Sequence, residues 1–273
     1  MTITQKCVFV VKDKIIIYNK IMKLKELDSY FRGFLSIDDL AGTDASQNGV
    51  QVENTADITC IAFAVDACME TFKRAKEAGA QMLFVHHGLF WGHEQTLTGT
   101  HYQRIKFLIE NNIALYAAHL PLDIHPIIGN NVALARAAGL IDLKPFGEYH
   151  GIKVGVKGSF KEPVTTAQVL SNLGYDSSEL LATLSFGKEK NLTGAVITGG
   201  GEHDVTAAID EDIDLYITGD AAHVVYHTCL ENKINMISAG HYRTEVYGVQ
   251  NVAKKVSDDL GLKTLFIDVP TGL

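Results

Sequence analysis

The chain has 273 residues, of which 47% are hydrophobic and 21% are charged, and its formal net charge at pH 7 is −8. This composition is typical of a soluble globular protein with one large domain or two ordinary ones. The acidic balance, with no block of lysine or arginine, gives no strong nucleic-acid signal. No stretch is long and apolar enough to predict a membrane span, so we expect no membrane partner.

The four cysteines, which are Cys7, Cys60, Cys68 and Cys229, form no C-x-x-C pair. A zinc ribbon or a thioredoxin-type site is therefore not predicted. Scattered cysteines in apolar surroundings are typical of reduced, buried thiols, and the first residues lack the cleavage site of a signal peptide. We therefore expect a cytoplasmic protein.

Residues 1–21 differ in character from the rest of the chain, because Lys12, Asp13 and Lys14 interrupt two apolar runs. The segment is too short and too charged to cross a membrane. Met22 resembles a natural start, so we interpret residues 1–21 as an N-terminal extension that arises from a start-site artefact. A genuine additional strand is the alternative.

From Met22 onwards, apolar periodicity and glycine stops predict alternating helices and strands. The predicted elements of the first half are a helix from residue 22, a strand at 58–65, a helix at 66–78, a strand at 82–85, a helix at 100–111, a strand at 113–118 and a helix at 130–138. This rhythm predicts a parallel, doubly wound α/β sheet. Residues 144–151 contain one proline and two glycines, and we predict a loop between domains there.

A second set of alternating elements follows this loop. Strands are predicted at 152–156, 181–186, 195–198, 213–218, 234–238 and 264–267. The three glycines at 199–201 lie between a strand and a helix, where they can form a tight turn or cradle an anion. We favour the tight turn, because the spacing of a Walker or Rossmann loop is absent.

Three predicted strand ends carry residues of the types that bind metals. These residues are His86 with His87, His119 with Asp123, and His241 with Glu245. In a doubly wound sheet such ends lie at one edge, where ligands bind. Imidazole with carboxylate suits zinc, iron, manganese, cobalt or nickel, and adjacent His86 and His87 can each serve one ion of a dinuclear centre. Taken alone, the His-His pair is better explained by solvated or hydrogen-bonded histidines in a loop.

Four motifs occur in a fixed order, namely VHHGLFW at 85–91, H-x-x-x-D at 119–123, TGD at 218–220 and AGHYRTE at 239–245. Together with NGVQV at 48–52, they resemble the GTP cyclohydrolase I type 2 homologue family, also called NGG-interacting-factor-like. The resemblance extends from about Met22 to the end of the chain. It implies two linked α/β domains with mainly parallel sheets flanked by helices, a dinuclear metal site in the cleft between them, and a toroidal homohexamer of stacked trimers.

The resemblance also implies roles for individual residues. The implied metal ligands are His86, His87, Asp123, His241 and Glu245. His119 matches a position beside the site, where support of Asp123 is its implied role. Many members carry a His-His pair where this chain has His223 followed by valine, so we interpret His223 and His227 as solvated helix residues.

We predict that residues 22–127 together with 230–273 form the domain of the metal site, and that residues 128–229 form the second domain. The first functional hypothesis is a hydrolase of C–N or phosphoester bonds, in which two divalent metal ions lower the pKa of a shared water molecule. His119 or His93 would then transfer protons, and Arg243 would add positive charge for an anionic substrate. His101 also flanks the site loop, although both it and His93 are more readily explained as ordinary exposed histidines.

The competing hypothesis is a non-catalytic protein that binds metal or serves as a scaffold for protein partners. A hydrolase must keep an open coordination position for water, whereas a storage site is closed by protein ligands. We predict an open site. The cyclohydrolase label rests on the resemblance alone, since the sequence contains no nucleotide-binding motif that would identify the small-molecule substrate.

Overall fold

The structure is a computed structural model that describes residues 8–11, 14–17 and 20–273. Its strands are β1 (Val8–Val11), β2 (Lys14–Ile17), β3 (Gly49–Val52), β4 (Cys60–Asp66), β5 (Met82–His87), β6 (Ala114–Ala117), β7 (Leu140–Tyr149), β8 (Ile152–Val164), β9 (Ala182–Ser185), β10 (Asn191–Ile197), β11 (Leu215–Thr218), β12 (Asn235–Ser238) and β13 (Lys263–Phe266). Its α-helices are α1 (Leu24–Leu35), α2 (Met69–Glu77), α3 (Gly99–Glu110), α4 (Leu120–Asp123), α5 (Asn130–Ala138), α6 (Thr166–Leu173), α7 (Val205–Asp210), α8 (Val225–Asn232) and α9 (His241–Leu260). In these described ranges, no helix is both long and apolar enough to span a bilayer.

The predicted N-terminal extension lies partly outside the described residues. Strands β1 and β2 within it pair with each other in antiparallel register. The origin of residues 1–21 stays a prediction. Of the cysteines, Cys60, Cys68 and Cys229 are free thiols, and Cys7 lies outside the described residues.

The chain divides into two compact units. The first contains the described residues through His119 together with Val249–Val269, and the second contains Leu120–Gly248 and Pro270–Leu273. The sequence pattern placed the boundaries near residues 127 and 230, whereas the chain changes unit after His119, again within α9 after Gly248, and once more after Val269. The candidate metal-binding residues are therefore divided between the units.

The first unit contains a five-stranded sheet in the order β13-β4-β5-β6-β3. Strands β13, β4, β5 and β6 are parallel, and β3 pairs antiparallel with β6. The central strands are almost continuously apolar and buried, as expected where helices cover both faces of a parallel sheet. On one face, Phe31 of α1 packs against Phe84 and Tyr116 with ring centroids 5.0 and 4.9 Å away. The predicted parallel α/β sheet is confirmed here.

The second unit contains a six-stranded sheet in the order β7-β8-β10-β11-β12-β9. Only its centre is parallel, because β10, β11 and β12 run together while β7, β8 and β9 pair antiparallel with their neighbours. Helix α5 ends where the sequence predicted, at Gly139 with a φ of 100°, which a glycine adopts without strain. The predicted α/β class is thus confirmed in both units, whereas a mainly parallel sheet is found only in the first.

The predicted loop at residues 144–151 is wrong, because most of it belongs to β7 and the remainder is the turn into β8. Pro145 has no backbone N–H to donate to a neighbouring strand. It is tolerated because, among the described strands, β7 pairs only with β8 and lies at the edge of the sheet. The pairing register shifts between Ile141 and Lys144, and Asp142 has a φ of 53°. This bulge interrupts the alternation that identifies a strand in sequence.

Candidate functional site

Two of the predicted ligands are the last residues of β5. His86 is fully buried and His87 is partly exposed, and their ring centroids lie 4.5 Å apart. Side chains of neighbouring strand residues normally point to opposite faces. At this strand end the two rings instead lie side by side, as the sequence predicted.

His119, which follows β6, joins this pair. Its ring centroid lies 5.1 Å from that of His86 and 5.7 Å from that of His87. One ring nitrogen from each of the three residues lies within 4.8 Å of the others. We call these residues the histidine triad. The sequence predicted His119 as a residue beside the site, and the first unit brings it into the group itself.

Each ring of the triad is held through its Nδ1 atom by an oxygen acceptor. The Nδ1 of His86 lies 2.9 Å from the Ala118 carbonyl oxygen, and that of His87 lies 2.8 Å from Oδ1 of Asp66. The Nδ1 of His119 lies 2.9 Å from Oδ1 of Asp44. A neutral ring that donates from Nδ1 presents the lone pair of Nε2, which is the form that binds metals. The triad therefore fits a divalent cation.

The polar loop before β3 positions His119. Asp44 accepts hydrogen bonds from the Ser46 amide and the Asn48 side chain, at 2.9 and 2.8 Å. The side-chain oxygen of Asn48 in turn accepts from the His119 amide at 2.7 Å. Burial raises the pKa of Asp44, but the hydrogen bonds from His119 and Asn48 outweigh this effect and lower it. The carboxylate therefore stays ionised beside the His119 ring.

Sequence reasoning missed Asp44 and Asp66 as partners of the triad. Asn48 entered the sequence analysis only as the first residue of the NGVQV motif, and the polar residues before it were given no role. Asp66 could have been found from strand register, since it ends β4 opposite His87 at the end of β5. That register is visible only after the two strands are paired.

The loop after β5 places the single tryptophan of the chain beside the triad. The Trp91 ring centroid lies 5.0 Å from that of His119 and 6.0 Å from that of His87, and its indole N–H donates to the Gly88 carbonyl at 3.1 Å. Gln51, in the NGVQV motif, accepts a hydrogen bond from the amide of residue 89 at 2.6 Å. A Cβ atom on Gly88 would lie 2.4 Å from the same side chain, so glycine permits this approach.

His93 and His101 both follow the VHHGLFW motif in the sequence, but neither belongs to the histidine triad. The exposed His93 ring contacts the Trp91 carbonyl at 3.0 Å and the Gln95 side chain at 3.2 Å. His101, in α3, packs edge-on against Phe90 with a centroid distance of 5.3 Å. A proton-transfer role for His93 stays a prediction.

The start of α9, in the second unit, carries two of the predicted ligands, His241 and Glu245, which we call the α9 pair. His241 and Glu245 are one helical turn apart, and Nε2 of the histidine lies 3.3 Å from Oε2 of the glutamate. The Nδ1 atom of His241 lies 3.1 Å from both oxygens of Asp220, which follows β11 in the TGD motif. Burial lowers the pKa of His241, but the hydrogen bonds and charges of Glu245 and Asp220 raise it to about 9.

The glycine turn after β10 packs directly against this pair. Gly199 has a φ of +64°, and a Cβ atom there would lie 2.2 Å from Oε1 of Glu245 and 2.9 Å from Nε2 of His241. Its amide donates to the Thr244 hydroxyl at 3.0 Å. The turn thus allows close approach of backbone to the ligand pair, in agreement with the favoured prediction of a tight turn.

Asp123 ends the short helix α4 and is buried. Its Oδ1 accepts hydrogen bonds from the Asn130 amide group at 2.8 Å and the Thr198 hydroxyl at 3.4 Å. The Asn131 side chain donates to the Asp123 backbone carbonyl at 3.0 Å. These contacts fix the carboxylate within the second unit.

Arg243, between the two ligands of α9, is directed to other partners. Its Nη1 atom lies 2.9 Å from a Glu179 carboxylate oxygen, and its guanidinium lies 5.1 Å from the Tyr175 ring centroid. Residues two apart on a helix face different directions, so Arg243 does not share the face of His241 and Glu245. Its predicted part in binding an anionic substrate is not supported by these contacts.

Comparison with known proteins agrees with the motifs. The sequence model of the family described as Duf34/NIF3 (NGG1p interacting factor 3) matches residues 22–272. The chain belongs to this family. It is 40% identical to the GTP cyclohydrolase 1 type 2 homolog of Treponema pallidum and 41% identical to that of Pyrococcus abyssi, with 92% of this chain and 100% of each relative covered. The predicted family is therefore confirmed.

Solved structures of the same fold are also similar to this chain. TTHA1606 from Thermus thermophilus superimposes with a TM-score of 0.82 at 38% identity, and protein ybgI, described as of unknown function, with 0.84 at 30%. In both comparisons the alignment covers 92% of this chain and 100% of the other. The predicted fold is thereby confirmed. What the names of the relatives say applies to those proteins.

Proposed function

We propose that this protein binds two divalent metal ions and is a metal-dependent hydrolase of C–N or phosphoester bonds. The observation that carries the proposal is the histidine triad, in which three ring nitrogens lie within 4.8 Å and each Nδ1 contacts an oxygen acceptor. As the family resemblance implies, the proposal adds Asp123, His241 and Glu245 of the second unit as further ligands of the same centre.

The chemistry of the donors supports a borderline cation. Imidazole nitrogens and carboxylate oxygens suit zinc, iron, manganese, cobalt or nickel, whereas carboxylates alone would favour magnesium or calcium. When bound, such ions would act as Lewis acids on water and on a polar group of the substrate. In the proposal, His86 and His87 hold these ions, and the Ala118 carbonyl and Asp66 fix the orientation of the two rings.

His119, the third ring of the histidine triad, is not among the proposed metal ligands, and we assign it the role of proton transfer. Its Nδ1 contacts the ionised carboxylate of Asp44, and this contact fixes the orientation of the ring. The Nε2 atom would then accept and return a proton at the reacting centre. His93 is the alternative carrier, from its exposed position on the loop that also holds Trp91.

Metal analysis tests the proposal most directly. Protein purified without added metal should contain about two divalent ions per chain, and the His86→Ala, His87→Ala double variant should lose most of them. His93→Ala, which changes a histidine outside the triad, is the matched control and should retain both. Equal metal content in all three proteins would contradict the assignment of the triad.

An activity screen separates the hydrolase from its alternative. Nucleotides, phosphoesters and cyclic amides should be assayed with metal-loaded protein, and His119→Asn should reduce any turnover while retaining the metal. The competing proposal is a non-catalytic metal-binding or scaffold protein, which the words "interacting factor" in the family description support. Normal metal content without turnover of any substrate class would favour it.

The proposal includes a cytoplasmic homohexamer, as implied by the family resemblance. Light scattering coupled to gel filtration tests the assembly, since six chains of 29.8 kDa elute with a distinct mass. A monomeric mass at micromolar concentration would contradict the hexamer without affecting the triad.

A further inference from the structure

The second unit contains a cleft whose lining includes none of the candidate metal ligands. It has a volume of about 480 Å³, which lies within the range of roughly 300–1,000 Å³ that is typical of small-molecule sites. Its walls are formed by α5, by the facing parts of β7 and β8, and by the segment after α4. We call it the β7 cleft.

The charge of the β7 cleft is opposite to that of the whole chain. Arg136, Lys144 and Lys153 line it, and Asp142 is the one carboxylate among the lining residues. Glu148 lies 3.5 Å from Nζ of Lys153 and offsets part of that charge. Among the described residues Lys144 forms no ion pair. In a chain with a net charge of −8, such a concentration of basic groups favours an anionic ligand.

The guanidinium of Arg136 is already held in position. Its Nη1 atom donates to the Ile127 carbonyl at 2.8 Å, which anchors one corner of the group. No other hydrogen bond of this guanidinium is formed within the part of the chain that the structure describes. A planar guanidinium matches the geometry of phosphate oxygens, and a nearby lysine adds a mobile point charge.

The interior of the β7 cleft is apolar. Val132 of α5, Leu140 of β7 and Val154 of β8 are buried and line it. The pairing register of β7 shifts between Ile141 and Lys144, and at this bulge apolar and basic side chains border the same space. The lining therefore matches a ligand with an apolar body and an anionic head.

We propose that the β7 cleft binds a small organic phosphate. The phosphate contacts Arg136 and Lys144, and the apolar body of the ligand packs against Val132, Leu140 and Val154. This site is independent of the proposed hydrolase activity, because it uses no residue of the histidine triad or of the α9 pair.

Calorimetric titration of the full chain with phenylphosphonate tests the proposal. This probe combines a phenyl ring with a phosphonate group and has no P–O–C ester bond to hydrolyse. We expect saturable binding that Lys144→Gln weakens by roughly threefold to tenfold, as for a charge-assisted contact near the surface. Lys161→Gln, an exposed lysine of β8 outside the cleft, is the matched control and should bind like the wild type. Lys144 forms no ion pair in the described structure, so its variant is expected to fold.

Three further titrations distinguish the outcomes. Inorganic phosphate represents only the anionic group of the probe, and benzyl alcohol only its phenyl ring. Each should bind more weakly than phenylphosphonate. Equal affinity for inorganic phosphate would overturn the organic part of the proposal. Binding that His87→Ala abolishes and Lys144→Gln leaves unchanged would assign the probe to the histidine triad and overturn the cleft, as would the absence of saturable binding.

Discussion

The Asp66 carboxylate and the His87 ring lie opposite each other on neighbouring parallel strands, with Oδ1 and Nδ1 2.8 Å apart. Such a pair fixes the ring orientation of a metal-binding histidine. The strand pairing that builds the core of the first unit therefore also builds the support of a histidine in the triad.

Replacing Asp66 tests this support. Asp66→Asn keeps the size of the side chain but removes its charge, so we expect the affinity for a divalent ion to fall roughly 10- to 100-fold. Competition with a chromogenic chelator measures this change. Asp57→Asn removes an exposed carboxylate that pairs with Lys23 and should leave the affinity unchanged. Identical affinities for both variants would mean that Asp66 has no part in metal binding.

Trp91 provides an optical test, because it is the only tryptophan in the chain and its ring lies 5.0 Å from that of His119. Paramagnetic Co²⁺ or Ni²⁺ bound at the triad should quench its fluorescence, and a chelator should restore it. The His86→Ala, His87→Ala double variant should lose the quenching, whereas His93→Ala should retain it. Quenching that persists in the double variant would locate the ion elsewhere.

Alanine substitutions of Gly199 and Gly174 measure how closely the glycine turn after β10 packs against the α9 pair. Both have a positive φ, +64° and +69°, but of the two only Gly199 would bring a Cβ atom against neighbours, at 2.2 Å from Glu245. Gly174→Ala should cost ~1 kcal/mol of unfolding free energy from backbone strain alone. Gly199→Ala should cost at least about 1 kcal/mol more, because overpacking adds to strain. Chemical denaturation measures both, and equal losses would show that the contact is easily relieved.

Asp214 predicts a pH dependence of stability in the second unit. Burial raises the pKa of this carboxyl, but hydrogen bonds from Lys188 and from the amides of Leu192 and Thr193 lower it below its ordinary value of 3.8. A group whose pKa is lower in the folded state stabilises the fold above its ordinary pKa, and this contribution is lost as the pH falls through the folded value.

We therefore expect Asp214→Asn to reduce the unfolding free energy by about 1–3 kcal/mol at pH 7, as for a lost buried acceptor. The difference from the wild type should shrink as the pH falls below about 4. Denaturant titrations at several pH values test this, with Asp210→Asn, at an exposed position, as the control. A difference that is constant with pH would exclude ionised Asp214 as its source.

The sequence predicted the parts of the site that depend on local order along the chain. A buried apolar strand that ends in two histidines identified His86 and His87, and the four-residue spacing identified His241 with Glu245. Glycine at the end of a helical pattern likewise located the end of α5. Each of these signals lies within a few residues, where periodicity and spacing are informative.

Features that depend on pairing between distant segments were not predictable. Asp44 contacts His119 across 75 positions of sequence, and Asp66 meets His87 only through strand register. Strand β7 was missed because a proline and a bulge remove its alternation, and only its position at the sheet edge makes them harmless. These residues can be read from the sequence, but the strand pairing that brings them into contact cannot.

The unequal burial of the two adjacent histidines has a kinetic consequence. His86 is wholly enclosed by protein, whereas His87 retains contact with solvent. In the proposed dinuclear centre each ring holds its own ion, so the two ions should leave to a chelator in two separate phases, with the ion on His87 departing first. Brief dialysis followed by addition of another metal would then yield a heterometallic protein whose two positions report separately by spectroscopy.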